Sequence, residues 1–359
     1  MNNYKIAEIC TITMGQSPES KFYNATGEGF PFLQGCATFG VMYPSFSTWT
    51  THYSRYCESG EVLMSVRAPV GDLNISQDKI ALGRGVCSLS MNNGNNRYLY
   101  YLLLSSLPKL KASSTGTIYE SISKKDLERI ELPVHSENNQ QHIVNLLGSL
   151  DEKVGNNENI IKKTHEFALA LFKQIFDGQA KEIVLSDIAE ITMGQSPDGS
   201  SLNNENEGLF FFQGRTDFGM LSPQERIYTT APTRYAKQGD ILFSVRAPVG
   251  DVNIANTDCC IGRGLAAVRN TLGFENNAIL FYILTASKID FEVFNGSGTV
   301  FGSINKNELN NHKLKLGDAE LIKRFDTKIS MLFKKCLELN EENKKLKELK
   351  KLYLKKYFG

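Results

Sequence analysis

Residues 65–72, SVRAPVGD, decide how this chain is organised, because the same octamer returns unchanged at residues 244–251. The text around each octamer also repeats, at a constant offset of 179 positions and without an insertion over about seventy residues. The chain is therefore an internal duplication, with one structural unit built twice. Besides the octamer, the repeated motifs are MGQSP at residues 14–18 and 193–197, QG at 34–35 and 213–214, FG at 39–40 and 218–219, and GRG at 83–85 and 262–264.

Composition agrees with two globular units. A chain of 359 residues with 41% hydrophobic residues can bury two cores of ordinary size. Its seven cysteines include no CxxC pair, which favours a reduced cytosolic protein over a disulfide framework or a zinc ribbon. The apolar runs are too short for a signal sequence or a membrane span. We therefore expect a cytoplasmic protein.

The charge distribution limits how the chain could bind nucleic acid. Residues 1–136 carry 12 basic and 11 acidic side chains, and residues 183–317 carry 11 and 14, although the net charge of the whole chain is +1. A protein that holds a polyanion alone normally presents a basic face. Any nucleic-acid role must therefore rest on local patches or on a basic partner.

Each copy reads as a β-rich domain with short helices. Residues 61–66 and 240–245 have the composition of buried strands, and each is followed by a turn and a second strand, LNIS or VNIA. Residues 98–104 and 278–287 have helical spacing. Ser123 and Asn305 each precede a short helix with an acidic residue three positions later, the pattern of a capping box.

A long heptad pattern follows each copy. Polar residues interrupt both seams, Asn157 and Thr164 in the first run and Asn343 in the second. The matched positions of the two runs favour pairing with each other as an antiparallel coiled coil. Two unrelated amphipathic helices, each packed on its own domain, are the alternative. The predicted fold is α+β, with domains at 1–136 and 181–317 and long helices at 137–180 and 318–359. The seam residues are Ile143, Leu147, Leu150, Val154, Ile161, Ile322, Ile329, Leu332, Leu339 and Leu346.

Motifs for catalysis are absent from the sequence. It contains no GxxxxGK[ST] loop, no HExxH, no nucleophile elbow and no metal-spaced cluster of cysteines or histidines. None of the five histidines recurs between the copies. Residues 262–267, GRGLAA, match GxGxxA, but no long helix follows, so glycines for a bulge or a close backbone approach are favoured over dinucleotide binding. No catalytic residue and no metal site is predicted.

Two residue types occupy equivalent loop positions in both copies. Arginines at the exit of the strand and within GRG suit phosphate contact through guanidinium and backbone amides; the alternative is an internal ion pair, such as Arg67 with Asp72. Glutamines before a glycine could read an adenine edge, or could be structural residues bonded to backbone. The candidates are Arg67, Arg84, Arg246 and Arg263 for phosphate, and Gln34 and Gln213 for bases.

These motifs resemble a known family. MGQSP, QG, GDILFSVRAPVGD, IGRG and the segments from STGT to INKNEL look like the target recognition domains of type I restriction-modification specificity subunits, and the heptad helices resemble their conserved spacer regions. The resemblance covers nearly the whole chain. It implies a non-catalytic subunit in which each domain reads one half of a bipartite DNA target. The helices would set the gap and dock two methyltransferase subunits, which use S-adenosylmethionine, while restriction and translocase subunits join them. No cofactor is expected on this chain.

Shared motifs cannot encode a difference between half-sites, so base reading is expected where the copies differ. Cys36 corresponds to Arg215 and Thr38 to Asp217. We therefore add Arg215, Thr38 and Asp217 to the base-reading candidates, with Arg215 directed at a guanine edge. Two alternatives for the whole chain are a recognition subunit of a type IIB enzyme and, from a different class, a coiled-coil adaptor for protein or small ligands.

Overall fold

The structure, a computed structural model, describes residues 1–108, 121–176, 178, 181–296 and 302–359. It divides into two compact units: Met1–Lys153 together with Leu346–Gly359, and Val154–Lys345. Each unit therefore contains one copy of the repeat and segments of both long helices. The four-segment domain boundaries drawn from the sequence stay a prediction. The STGT motif of the first copy lies outside the described residues.

The first copy consists mainly of short strands. Their alternating and continuous apolar runs, bounded by Gly, Pro and Asn, are typical of small half-buried sheets. The strands are β1 (Asn2–Lys5), β2 (Cys10–Met14), β3 (Tyr23–Asn24), β4 (Phe30–Leu33), β5 (Trp49–Thr50), β6 (Tyr56–Cys57), β7 (Val62–Ser65), β8 (Leu73–Ile75), β9 (Ile80–Leu82), β10 (Val86–Met91) and β11 (Glu131–Val134).

The second copy repeats this series strand for strand. The order of the strands is the same, as expected for a duplication, and the connections match in length except that the segment after the tenth strand of the second copy is three residues longer. The strands are β12 (Lys181–Val184), β13 (Ala189–Met193), β14 (Leu202–Asn203), β15 (Leu209–Phe212), β16 (Tyr228–Thr229), β17 (Tyr235–Ala236), β18 (Ile241–Ser244), β19 (Val252–Ile254), β20 (Cys259–Ile261), β21 (Leu265–Asn270) and β22 (Lys313–Leu316).

The sheet topology of the two copies is identical. Each copy has a four-stranded antiparallel sheet, in the order β2-β10-β7-β8 or β13-β21-β18-β19. Each also has a five-stranded sheet, β3-β5-β4-β9-β6 or β14-β16-β15-β20-β17, in which only the pairing of β4 with β9, or β15 with β20, is parallel. The first and last strands of each copy pair with each other, so each copy closes on itself before its long helix begins.

The helices agree with the sequence prediction. The helical spacing predicted near residues 98 and 278 forms helices at Asn96–Ser105 and Ala278–Ala286, and the predicted capping boxes at Ser123 and Asn305 are both present. The α-helices of the described residues are α1 (Ile6–Ile9), α2 (Asn96–Ser105), α3 (Lys124–Arg129), α4 (Glu137–Phe176), α5 (Ala278–Ala286), α6 (Lys306–Asn310) and α7 (Ala319–Phe358).

In the first unit, the beginning of α4 pairs with the end of α7. His142 Nε2 lies 3.1 Å from the hydroxyl of Tyr357, and Lys350 Nζ lies 2.7 Å from Asp151 Oδ1. Advancing along α4 therefore means going back along α7, so the two segments are antiparallel.

In the second unit, the end of α4 pairs with the beginning of α7. Asn157 Nδ2 donates to Asn343 Oδ1 at 2.8 Å, and the rings of Phe172 and Phe325 meet edge to face at 5.6 Å. These segments are antiparallel as well. The predicted α+β fold, with two tandem domains whose long helices pair as an antiparallel coiled coil, is confirmed.

The prediction that Leu332 lies in the seam is wrong. Leu332 is 39% exposed, whereas the neighbouring Phe333 is 1% exposed and packs against Phe281 and Tyr282. A straight helix has 3.6 residues per turn, so a strict heptad assignment drifts off the buried face along a helix of this length. Leu150 and Leu346 are half-buried. The remaining predicted seam residues are buried: Ile143, Leu147, Val154, Ile161, Ile322, Ile329 and Leu339.

Candidate nucleic-acid interface

The octamer forms the connection between two antiparallel strands in each copy, as predicted. In the first copy the Ser65 hydroxyl donates to the Pro69 carbonyl at 2.6 Å and accepts from the Asp72 amide at 2.8 Å. Ser244 makes the same two bonds in the second copy. Gly71 has φ +94°, a conformation that side chains rarely adopt. The octamer is thus a self-bonded turn, and both copies in this chain make the same bonds with the same eight residues.

Three repeated motifs meet beside this turn. In the first copy, the Ser17 hydroxyl of GQSP donates to Gln34 Oε1 at 3.0 Å and accepts from the backbone amide of Arg84 at 3.1 Å. A Cβ on Gly85 would lie 2.6 Å from the Gln34 carbonyl oxygen, so the GRG segment needs glycine to approach the QG segment. The prediction of a close backbone approach is confirmed. Ser196, Gln213 and Arg263 make the equivalent bonds in the second copy.

The four candidate arginines project from this meeting point. The backbone amide of Val66 donates to the Gly85 carbonyl at 2.9 Å. Arg67 follows Val66 and Arg84 precedes Gly85, so this one hydrogen bond holds the two arginines near each other. All four arginine side chains are exposed: Arg67, Arg84, Arg246 and Arg263. Within the described ranges none of them forms an ion pair, and the predicted alternative of an Arg67–Asp72 pair is absent there. Their charges remain available to an anion.

Gln34 and Gln213 are exposed beside these arginines, but their side-chain carbonyls are engaged. Each accepts the hydroxyl of the GQSP serine, at 3.0 and 3.2 Å. Reading an adenine edge needs both the carbonyl and the amide of one glutamine. A carbonyl oxygen has two lone pairs, so the serine bond orients each glutamine and still leaves one acceptor position and the side-chain amide for a base. Adenine reading by Gln34 and Gln213 stays a prediction beside the structural alternative.

Each copy of the duplicated unit matches the same known domain family. The family model for the type I restriction modification DNA specificity domain matches residues 1–165 and again residues 179–351. The chain belongs to this family. It carries the specificity domain twice, and the two matches extend through each β-rich copy into the long helix that follows.

Two relatives are named as type I specificity subunits, and one solved structure shares the fold of this chain. A putative type I restriction enzyme MjaX specificity subunit from Methanocaldococcus jannaschii is 32% identical over 64% of this chain and 60% of the relative's length. The MjaIX specificity subunit of the same organism is 21% identical over 98% of this chain and 91% of its own length. The crystal structure of the S subunit of a type I restriction-modification system from M. genitalium covers 100% of this chain and 96% of its own, with a TM-score of 0.66 at 17% identity. That last likeness shows the fold.

The two specificity domains differ at the loop after QG. In the second domain Arg215 Nε donates to Asp251, the last residue of the octamer, and Lys288 donates to the same carboxylate. Burial raises the pKa of Asp251, but the hydrogen bonds from Lys288 and Arg215 outweigh it and hold the pKa below its usual range. In the first domain Cys36 lies at the equivalent place, and burial and the negative charge of Asp72 raise the pKa of its thiol.

The other candidates of this loop have different surroundings. Asp217 is 8% exposed, and its carboxylate accepts from the backbone amides of Gln213 and Gly214 and from Arg226. Because both of its oxygens already hold the loop together, this placement does not support base reading by Asp217. Thr38 is half-buried, and its carbonyl accepts the Ser45 amide at 2.9 Å. Of these three candidate residues, Arg215 is the most exposed and the only one with a free edge of hydrogen-bond donors among the contacts described.

Sequence reasoning missed a charged layer inside the first unit. Lys350 and Asp151 are 16% and 11% exposed, with Nζ to oxygen distances of 2.7 and 2.8 Å, and the Tyr101 hydroxyl donates to Asp151 at 2.7 Å. Burial and the negative charge of Asp151 raise the pKa of Tyr101. A heptad assignment treats Asp151 as a solvated neighbour of Leu150, and only the partner on α7 shows otherwise.

Metal-binding clusters and membrane-spanning helices are both absent from the part of the chain that the structure describes. Within the described ranges, no group of three or more His, Cys, Asp or Glu side chains is arranged to hold a metal ion. No helix in that part of the chain is long and apolar enough to cross a membrane.

Proposed function

We propose that this chain is the non-catalytic DNA specificity subunit of a type I restriction-modification complex. Each specificity domain reads one half of a bipartite target, and the paired helices set the gap between the halves. The observation that carries this proposal is the duplicated cluster of exposed arginines beside QG, at the same place in both domains of a chain that the specificity-domain model matches twice. Arginine suits such a surface because its planar fork binds phosphate oxygens and guanine edges.

The partners follow from what the chain lacks. The first domain has one basic side chain in excess and the second has an acidic excess, so other subunits would supply much of the binding energy for DNA. Two methyltransferase subunits would dock on the paired helices and bind S-adenosylmethionine, which supplies the methyl group, while this chain binds no cofactor. Restriction and translocase subunits would join them on the cytoplasmic DNA.

The alternatives are less favoured. The family model and both relatives are described as type I. These descriptions favour a type I specificity subunit over a recognition subunit of a type IIB enzyme. A coiled-coil adaptor for protein or small ligands would have no need for exposed arginines at one repeated place in each domain.

Methylome sequencing tests the proposal. Co-expression with the methyltransferase from the neighbouring gene should yield one methylated bipartite sequence with a fixed gap. Because the two domains are alike in sequence, we expect its halves to be related and inverted. Absence of sequence-specific methylation would refute the specificity function and favour the adaptor, and two wholly dissimilar halves would refute only the expected relation between them.

Salt-dependent binding tests the arginine cluster. With the reconstituted methyltransferase complex, Arg67→Ala and Arg246→Ala should each weaken binding to cognate and non-cognate DNA alike, and should lower the slope of log K against log salt by about 0.9 per lost phosphate contact. Arg129→Ala, at an exposed arginine in the last turn of α3, is the matched control and should leave the slope unchanged.

Arg215→Ala should instead alter one position of the methylated sequence. A lower yield of the same sequence would exclude base reading by Arg215.

A further inference from the structure

Two polar layers interrupt the apolar seam between α4 and α7. In the second unit Asn157 and Asn343 are 1% and 4% exposed, and Asn157 Nδ2 donates to Asn343 Oδ1 and to Glu342 Oε2, both at 2.8 Å. In the first unit Lys350 donates to both oxygens of Asp151, at 2.7 and 2.8 Å. Polar groups in such a seam are stable only when each meets its partner.

The internal repeat does not carry the amide layer over. The two long helices begin 182 positions apart, and at that offset Asn157 corresponds to Leu339 and Asn343 to Ile161. In an antiparallel pair, the residue four positions after Asn157 faces the residue four positions before Asn343. Ile161 and Leu339, which are 0% and 6% exposed, therefore form an apolar layer at the site equivalent to the amide layer.

The charged layer has the same asymmetry. At the same offset Asp151 corresponds to Phe333 and Lys350 to Ala168. Phe333 and Ala168 are 1% and 0% exposed and lie in the core of the second unit. In both cases a polar pair on one side of the duplication is replaced by an apolar pair on the other.

This asymmetry discriminates between ways of pairing the helices. If α4 paired with the α4 of a second chain in the equivalent register, Asn157 would face Ile161, and Asp151 would face Ala168. Two copies of α7 would place Asn343 against Leu339 and Lys350 against Phe333. Every polar residue of the two layers would then be buried without its partner, and each unpaired buried amide weakens pairing about ten-fold or more.

We propose that the amide and charged layers select the pairing of α4 with α7 over the pairing of two copies of the same helix. The duplication gives the two helices similar apolar seams, so hydrophobic burial alone discriminates poorly between them. A single buried asparagine can fix the partner and register of a coiled coil for the same physical reason. This inference does not depend on DNA binding, and it explains how two different specificity domains come to share one paired-helix scaffold.

Exchanging equivalent residues tests the proposal without changing composition. Asn157→Leu/Leu339→Asn places both asparagines on α7, where two copies of α7 would match amide with amide twice. With two differently tagged full-length chains co-expressed, mixed-tag dimers should appear, and the dimer dissociation constant from light scattering should fall at least ten-fold relative to the wild-type chain. A folded variant whose dimer dissociation constant stays within two-fold of wild type would overturn the proposal, and would assign the choice of partner to contacts such as that of His165 with Tyr282.

A control variant moves the whole amide layer instead. Asn157→Leu/Ile161→Asn/Leu339→Asn/Asn343→Ile transfers the amide pair to the equivalent layer, so only α4 with α7 still matches amide with amide. Its dimer dissociation constant should equal that of the wild-type chain, and a ten-fold fall would contradict the proposal.

A second variant covers the case in which the exchange prevents folding. Asn157→Leu/Asn343→Ile makes this part of the seam apolar in every pairing and leaves no amide without a partner. It should fold, as checked by circular dichroism, and form mixed-tag dimers several-fold more readily than wild type. No gain in mixed-tag dimers would refute selection by the amide layer.

Discussion

The two halves of this chain share a backbone and differ in the polar groups placed on it. Both specificity domains have the same strand order, the same octamer turn and the same contact between serine, glutamine and GRG. The first places Cys36 opposite the final aspartate of the octamer, and the second places Arg215 and Lys288 there. The two copies thus share the side chains that bond to the backbone of the octamer and differ at loop positions such as Cys36 and Arg215.

The long helices show the same division in their interior. Most of the seam is apolar in both units, but the first unit contains Asp151 with Lys350 where the second contains Phe333 with Ala168. A buried ion pair adds little net stability compared with an apolar pair of similar volume, yet breaking it is costly because one charge is left unpaired. The difference between the halves therefore bears more on partner choice than on stability.

The largest expected effect comes from breaking the charged layer. Asp151→Ala leaves the ammonium of Lys350, whose side chain is 16% exposed, with only the rings of Tyr100 and Tyr101 beside it, and removes the acceptor of the Tyr101 hydroxyl. It should therefore lower the free energy of unfolding by about 3 kcal/mol in urea titration, the low end of the range for breaking a buried pair. Asp151→Leu/Lys350→Met, which makes this layer resemble its counterpart in the second unit, should restore most of that loss. A loss under about 1 kcal/mol for Asp151→Ala would mean that the pair is solvated and that the two halves are energetically alike here.

A smaller loss of stability, equal in the two domains, is expected where the GRG segment approaches the QG segment. Gly85→Ala and Gly264→Ala would each bring a Cβ to 2.6 or 2.7 Å from the carbonyl oxygen of Gln34 or Gln213. Each should lower the free energy of unfolding by about 1–3 kcal/mol, because backbone must shift to admit the methyl group. Gly35→Ala, whose Cβ would meet nothing within 4 Å, is the matched control. Clearly unequal losses in calorimetry would mean that this backbone approach differs between the two domains.

The smallest effect should appear in only one domain. Asp251→Asn removes the partner of Arg215 and Lys288, whose side chains are 53% and 52% exposed, so each pair should contribute only about 0.2–1 kcal/mol. Because the folded-state pKa of Asp251 is lowered, this stabilisation is present above the unfolded pKa, about 3.9, and is lost as pH falls through the folded value. The stability difference between wild type and Asp251→Asn should thus be present at pH 7 and vanish in acid.

The matching substitution in the first domain sharpens this test. Among the described residues Asp72 has no cationic partner, so Asp72→Asn should change thermal stability less than Asp251→Asn at pH 7. Equal changes for the two substitutions would show that the aspartates serve only the turn, and that Arg215 and Lys288 add nothing to it.

By itself the sequence determined the architecture of this protein. An octamer repeated in register marks a duplication, period-two and heptad patterns separate the sheets from the long helices, and glycine at GRG predicts a close backbone approach. These features follow from local chemistry, because strand alternation, helix periodicity and the absence of a Cβ can be read one segment at a time. The family resemblance rests on the same repeated residues.

Only the tertiary structure decided which side chains meet. It placed Phe333 instead of Leu332 in the seam, joined Asp151 to Lys350 across 199 positions, and used Asp217 to hold a loop rather than leaving it free to contact a base. Such contacts depend on small drifts of helical phase and on partners distant in the chain, and neither is encoded within one segment. The pairing of Asn157 with Asn343 belongs to the same class: the sequence shows two asparagines in two seams, and the fold makes them one layer.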